Sequence, residues 1–141
     1  MAEITLSAAS VKPANPNTVI GRGTAGVAIS AGQVVFLDTD NKLKLASANA
    51  VGSAAAVGVA LNSAAADQPL AYAISGDVTG TGSPTAMTAA TVYVLGSSAG
   101  TIMLMSDLDL TSGNRYGTIV GIATSATNLR VGINASGVPN P

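Results

Sequence analysis

The sequence predicts an all-β protein, a small antiparallel β-sandwich or barrel that follows an extended N-terminal arm. Short β-branched runs recur along the chain with turn residues between them, and no stretch has the spacing of an amphipathic helix. Two segments also share one hairpin pattern: residues 31–46, AGQVVFLDTDNKLKLA, and residues 90–105, ATVYVLGSSAGTIMLM. Strands at this spacing are typical of sandwiches and small barrels.

The first hairpin is the clearest element. Val34–Leu37 is a β-branched and aromatic run, residues 38–41 are turn formers, and residues 42–45 alternate charged and apolar. This alternation places Leu43 and Leu45 on one face and both lysines on the other, as a half-buried strand requires. In the second hairpin, strands 92–95 and 101–105 flank a Gly/Ser turn.

The segments after the two hairpins also match each other. Residues 57–60, VGVA, correspond to residues 120–123, VGIA, and residues 70–76 correspond more loosely to residues 129–137. We therefore predict two units, each a hairpin and two further strands. The alternative is that any chain rich in Val, Gly and Ala resembles itself.

Residues 1–17 form the predicted arm, residues 18–136 a single β domain, and residues 137–141 a flexible tail. Pro13 and Pro16 remove backbone donors and push their preceding residues to extended conformations. Residues 4–6, ahead of this spacer, have the composition of a short strand suited to pairing with another chain's sheet edge. A frayed terminus without function is the alternative.

The body is predicted to open with strands 18–20 and 26–29 around a glycine-rich turn or bulge. Residues 21–26 match GxGxxG, but a dinucleotide site needs a helix after that loop, and the next hairpin leaves no room for one. The remaining predicted elements are a polar link over 47–53, strand 54–61, one helical turn over 62–67, strand 70–75, a surface loop over 106–114, and a last hairpin of strands 116–124 and 129–133.

Composition restricts the partners. Charged residues make up 9% of the 141 residues, the net charge is −1, and aromatic residues make up 3%. So few charges protect poorly against association, and we expect much of the surface to be covered in use. No basic cluster is present for nucleic acid, and neither a signal peptide nor a membrane span is predicted. We expect synthesis in the cytoplasm.

Catalytic chemistry is not predicted. The chain has no histidine and no cysteine, which excludes zinc sites and Ser/His or Cys/His nucleophile pairs. A Ser–Lys dyad would need Lys12, Lys42 or Lys44, and nothing at an exposed hairpin face would lower a lysine pKa. We therefore expect no enzyme activity, no cofactor and no metal. Weak calcium binding at Asp38/Asp40 or Asp107/Asp109 remains an alternative to ordinary turn chemistry.

Several segments resemble small head proteins of tailed bacteriophages, which commonly carry an "aGdvVylD.dGklkla" segment. The resembling segments are residues 31–46, 57–62, 64–70, 75–78, 120–124 and 129–134. The family is the capsid decoration, or cement, proteins, similar in role to the lambda head decoration protein. The resemblance implies a β-tulip-like fold and a homotrimer, with a dimer as the alternative.

The resemblance also implies a function. Such a protein would bind the major capsid protein on the exterior of an icosahedral virion, cement neighbouring capsomers and stabilise the mature head. Its arm would add a strand to a capsid-protein sheet, and the residues implied in that contact are Ile4, Thr5, Leu6, Val11, Pro13 and Pro16. The proline and asparagine content of the arm would shorten this pairing.

A phage fibre or adhesin module that binds host glycans is the competing hypothesis. It would need an exposed groove with aromatic residues and paired polar groups. The aromatic residues are Phe36, Tyr72, Tyr93 and Tyr116, and all four fall in predicted strands, where burial is the default.

Overall fold

The computed structural model is nearly all β, an antiparallel sheet curled into a half-barrel, as the sequence predicted. The structure describes residues 3–8, 10–14, 16, 18–49, 51–83, 87–96, 98–104 and 116–139. The predicted loop over 106–114, including Asp107 and Asp109, lies outside these residues. The elements of the described ranges are β1 Glu3–Leu6, β2 Lys12–Pro13, β3 Val19–Thr24, β4 Val34–Leu37, β5 Leu43–Leu45, α1 Val51–Ala54, β6 Ala56–Ala60, β7 Pro69–Thr79, β8 Gly82–Ser83, β9 Thr91–Leu95, β10 Ile102–Leu104, β11 Tyr116–Ser125 and β12 Asn128–Pro139.

Two units of equal topology make up most of the sheet. In the first unit (β4–β7), hairpin β4–β5 pairs with β6, and β6 pairs with β7. In the second unit (β9–β12), hairpin β9–β10 pairs with β11, and β11 pairs with β12. Both predicted hairpins are therefore present, and the predicted duplication is seen in the topology.

The two units also share their register. Val35 in β4 and Tyr93 in β9 occupy equivalent positions, because each pairs with equivalent residues in the two strands beside it. The matching pairs are Val35↔Leu45 with Tyr93↔Leu104, Phe36↔Lys44 with Val94↔Met103, Leu37↔Leu43 with Leu95↔Ile102, Val34↔Val59 with Val92↔Ile122, and Val35↔Gly58 with Tyr93↔Gly121. Each unit has a bulge next to its glycine, since the ladders skip Val57 in β6 and Val120 in β11.

The bulge glycines have the same packing reason in both units. A Cβ on Gly58 would collide with the carbonyl oxygen of Ala73 in β7, and a Cβ on Gly121 would collide with the carbonyl oxygen of Arg130 in β12. The neighbouring strand thus approaches too closely for any side chain. A β-bulge next to a glycine is a device that bends a strand, and here it recurs at equivalent places.

Strand β7 is shared between the two units. Ser75 lies opposite Val19 of β3 and also opposite Gly132 of β12, while Ala73 lies opposite Ile20 of β3 and Val59 of β6. Strand β3 is paired with one edge of β7 at both Ser75 and Ala73. Strands β6 and β12 must therefore both pair with the other edge, β6 at Ala73 and β12 at Ser75. Two sheets therefore fork from one long strand, and the main core fills the space between them.

The main core combines different faces of the two units. From the first unit it takes Val34, Val59 and Ala73, and from the second it takes residues on the opposite face of the ladder, including Tyr93 and Leu129. The outer face of the first unit carries a second cluster, covered by residues from the segments on either side of the hairpin in the chain. Its members are Ala25, Ile29, Val35, Leu43, Ala60, Ala64 and Leu70.

The glycine-rich stretch at 21–26 corrects one prediction. Residues 21–24 continue β3 instead of forming a turn, because their glycines leave room for neighbouring side chains. A Cβ on Gly21 would lie 2.7 Å from the Tyr72 ring, and one on Gly23 would lie 2.9 Å from Leu43 Cδ1. The dinucleotide-type loop is thus an edge strand that packs tightly against its neighbours.

Four smaller elements also differ from the predictions. Residues 51–53 of the predicted polar link, together with Ala54 of the predicted strand 54–61, form the short helix α1. Residues 62–67 form bends and turns instead of a helical turn. Of the predicted strand 26–29, Ile29 forms an isolated β-bridge, and its partner is Ala64. The last hairpin is as predicted, but β12 extends to Pro139, into the segment predicted as a flexible tail.

Candidate functional site

The residues of the predicted binding arm fall into two groups. Ile4 and Leu6 are 4% and 3% exposed and belong to the main core, and Val11 packs against it. Thr5 is half-buried, whereas Pro13 and Pro16 are exposed. The first strand of the arm therefore pairs within its own chain, because its alternating apolar residues complete the core.

Strand β1 lies between two other strands. Glu3 and Ile4 pair with Met103 and Ile102 of β10, and the next two residues pair with β8. Between β1 and β2 a turn forms, in which the Ser10 N–H donates to the Ser7 carbonyl at 3.0 Å, and the Ser7 N–H ties this turn to the body by donating to the Thr81 carbonyl at 2.7 Å. Sequence reasoning expected a strand here but paired it with another chain, because the alternation of Ile4 and Leu6 does not reveal which sheet the strand joins.

Charged residues concentrate at the turn of the first hairpin. Lys44 Nζ lies 2.7 Å from Asp38 Oδ2 and 3.3 Å from Asp40 Oδ2, and Lys42 Nζ lies 2.6 Å from Asp67 Oδ1. The hydrogen bonds from Lys44 and from the Thr39 backbone lower the pKa of Asp38. The pKa of Asp40 is also lowered, first by the Lys42 backbone N–H and also by Lys44.

This arrangement bears on two hypotheses for these residues: calcium binding by the aspartates and catalysis by a lysine. Lys44 occupies the position between the Asp38 and Asp40 carboxylates in which a calcium ion would have to sit. The carboxylate partners also raise the pKa of Lys42 and of Lys44, whereas a lysine that acts as a general base needs a lowered pKa. The geometry is therefore that of a turn held by ion pairs.

An apolar groove of about 500 Å³ opens where residues of β6, β7 and β12 come together. It is lined by Ala55, Ala56, Val57, Tyr72, Ile74 and Ile133. Ile74 is 40% exposed, and Tyr72 is half-buried. Sequence reasoning placed Tyr72 in the core, and no sequence signal marked the groove, which depends on the divergence of β6 and β12 from β7.

The two other aromatic side chains that the structure describes lie in or against the main core. Tyr93 is 1% exposed in the main core, where its hydroxyl accepts a hydrogen bond from the Thr88 N–H at 2.9 Å. Phe36 is partly buried against the same core, and nothing is described for the Tyr116 side chain. The groove thus presents one aromatic ring among aliphatic side chains.

Within the ranges that the structure describes, no cluster of three or more His, Cys, Asp or Glu residues is placed to hold a metal ion. In the same ranges, no helix is long and apolar enough to cross a membrane. Compared with known protein families and with curated protein sequences, the chain matches none.

Proposed function

We propose that this chain is a non-enzymatic structural protein of a tailed bacteriophage that binds the exterior of the icosahedral capsid. It cements neighbouring capsomers as a homotrimer bound to the major capsid protein, and so stabilises the mature head. The supporting observation is where the resemblance to decoration proteins falls. Its segments overlap the hairpin β4–β5 and strands β6, β7, β11 and β12, which belong to both units of the fold, while hairpin β9–β10 carries none of them.

The low charge of the chain agrees with this role. Charged residues make up 9% of the sequence, and five of them are engaged with one another at the first hairpin turn. A protein with a sparsely charged surface is suited to a symmetric assembly that covers much of it. A trimer that binds several capsomers at once can bind strongly although each contact is weak.

The exposed part of the arm is the better candidate for direct capsid contact. Pro13 and Pro16 are exposed, whereas Ile4 and Leu6 would have to leave their own core before pairing with a capsid strand. We therefore assign the first contact to residues 12–16, which include the two-residue strand β2 at the edge of β7.

Heating expanded capsids with and without the chain tests the proposal. A ligand that binds the assembled shell, and not its separated subunits, stabilises the shell by mass action, so we expect a higher disruption temperature with the chain. Equal disruption temperatures would contradict the proposal. The double variant Pro13→Ala/Pro16→Ala should bind capsids less than wild type, while Pro69→Ala, an exposed proline in β7 outside the arm, should bind normally.

The fibre hypothesis has its own outcome. Electron microscopy of the source particles should show many copies on the outer shell if the chain is a decoration protein. A few copies at the tail tip would favour a fibre or adhesin module that binds host glycans.

A further inference from the structure

We propose that copies of this chain assemble by exchanging strand β1, so that β1 of one copy fills the slot between β10 and β8 of another. The slot is the space that Glu3–Leu6 occupies in the fold. The exchange identifies the partner as a second copy of the chain and does not depend on the proposed function.

The slot has the features of a receptor for an extended strand. On one side, β10 pairs with Glu3 and Ile4, and on the other, β8 pairs with Thr5 and Leu6. Without β1, both strands would present unpaired backbone groups toward the same space. Sheet edges of this kind bind an added strand through main-chain hydrogen bonds and through pockets for alternate side chains.

One of these pockets fits Leu6 closely. A Cβ on Gly32 would lie 2.6 Å from the Leu6 carbonyl oxygen, and a Cβ on Gly80 would lie 3.1 Å from Leu6 Cδ1. Gly32 also has a φ of +94°, a conformation that other residues rarely adopt. Both glycines, β8 and β10 lie outside the arm, so the body of the chain supplies them whichever copy donates the strand.

The arm is attached in a way that permits exchange. β1 has two Cα pairs with each neighbour, and β2 has two pairs with β7 and exposed side chains. Thr18, by contrast, is buried and donates a hydrogen bond to the Asp77 carbonyl at 2.8 Å. Residues 7–17, between β1 and this anchor, could span about 36 Å when extended.

The energetics favour exchange whenever copies are held together. The contacts of β1 in the slot are the same whichever chain donates it, so the cost of exchange is that of opening the segment after β1. That segment is held to the body by hydrogen bonds of Ser7 and Ser10 with Thr81 and of Ala14 with Asp77. In an oligomer the local concentration of a neighbour's arm is high. The few charges on the surface offer weak protection against such association.

Cysteine trapping tests the exchange, since the chain contains no cysteine. Thr5 and Ser83 are directly opposite across β1 and β8, a spacing that suits a disulfide. The variants Thr5→Cys and Ser83→Cys are mixed unfolded, refolded together, oxidised and analysed by mass under denaturing conditions. Beyond the background from random collision, a disulfide between the two variants forms at this pair when β1 of one copy lies in the slot of the other.

The control mixture pairs Thr5→Cys with Thr124→Cys, an exposed position at the far end of β11. We expect at least about tenfold more mixed disulfide for the 5/83 pair than for this control, with circular dichroism spectra that match wild type. The proposal is overturned if the two mixtures give equal yields, or if the double variant Thr5→Cys/Ser83→Cys forms its disulfide within single chains only.

Discussion

The two units pair their strands in the same register, but opposite faces of the paired strands point toward the main core. Val59 in β6 and Ile122 in β11 occupy equivalent register positions, yet Val59 is 1% exposed and Ile122 is 46% exposed. Conversely, Val35 lies in the outer cluster of the first unit, and its equivalent Tyr93 lies in the main core. Register and burial are thus separable properties of a duplicated sheet.

The fork at β7 explains this difference. Because β6 and β12 leave from the same edge of β7, the two sheets face each other with opposite sides of their ladders. Both units have apolar residues on both faces: residues such as Ile29 and Ala64 cover the outer face of the first unit, and the outer face of the second unit carries a smaller cluster of Val94, Met103 and Ile119. In β11 the equivalent outward position is Ile122. The bulge and its glycine thus determine which residues pair between strands. The elements that pack on each side determine which face of the paired strands is buried.

The largest expected effect comes from the two bulge glycines. Gly58→Ala and Gly121→Ala should each reduce the free energy of unfolding by about 3 kcal/mol, because backbone carbonyl groups cannot move aside as side chains can. Gly132→Ala is the control, since nothing lies within 4 Å of a Cβ at that position. Urea unfolding measures all three. A loss confined to one unit would show that the bulges are not equivalent.

The next effect separates the two faces. Val59→Ala should cost about 2 kcal/mol of unfolding free energy, because it leaves a cavity in the main core. Ile122→Ala, at the equivalent but exposed position, should cost less than about 1 kcal/mol although it removes more atoms. Equal losses, measured by the same urea unfolding, would contradict the assignment of opposite faces.

The smallest effect concerns the charged turn of the first hairpin. The corresponding turn of the second hairpin, residues 96–100, contains no charged residue. The pKa of Asp38 and of Asp40 is lowered in the folded chain, so their contribution to stability is present above their ordinary pKa, near pH 4, and is lost as the pH falls through the lowered value. Lys44→Met should therefore be slightly less stable than wild type at pH 7.

This difference should shrink as the pH falls through the lowered pKa values, because both carboxylates then become protonated in either protein. Thermal unfolding of wild type and Lys44→Met between pH 2 and pH 7 provides the measurement. A difference in melting temperature that stays constant across this range would show that the ion pairs contribute nothing to stability.

Local patterns made most of the fold predictable. The turn formers at 38–41 and the alternation at 42–45 specify the first hairpin on their own, and the repeated VGVA and VGIA motifs mark the bulge of each unit. Gly21 and Gly23 were misread because glycine in a sequence indicates a turn as readily as a close approach, and their role depends on Tyr72 and Leu43.

The candidate site was less predictable. Ile4 and Leu6 were assigned to a binding arm, and the alternation that indicates a strand does not reveal which sheet it joins. The apolar groove beside Tyr72 depends on where two strands diverge, which is a long-range property. The ion pair between Lys42 and Asp67 also joins distant segments, so no local pattern indicates it.

The shared strand β7 has a consequence for cooperativity. Two repeated units with separate sheets could unfold one after the other, as neighbouring repeats in a solenoid can. Here Val59 of the first unit and Gly132 of the second pair with the same edge of one strand. Loss of either unit would expose half of that edge and one side of the main core. The duplicated chain should therefore melt in a single transition, in which neither half is a folding unit by itself.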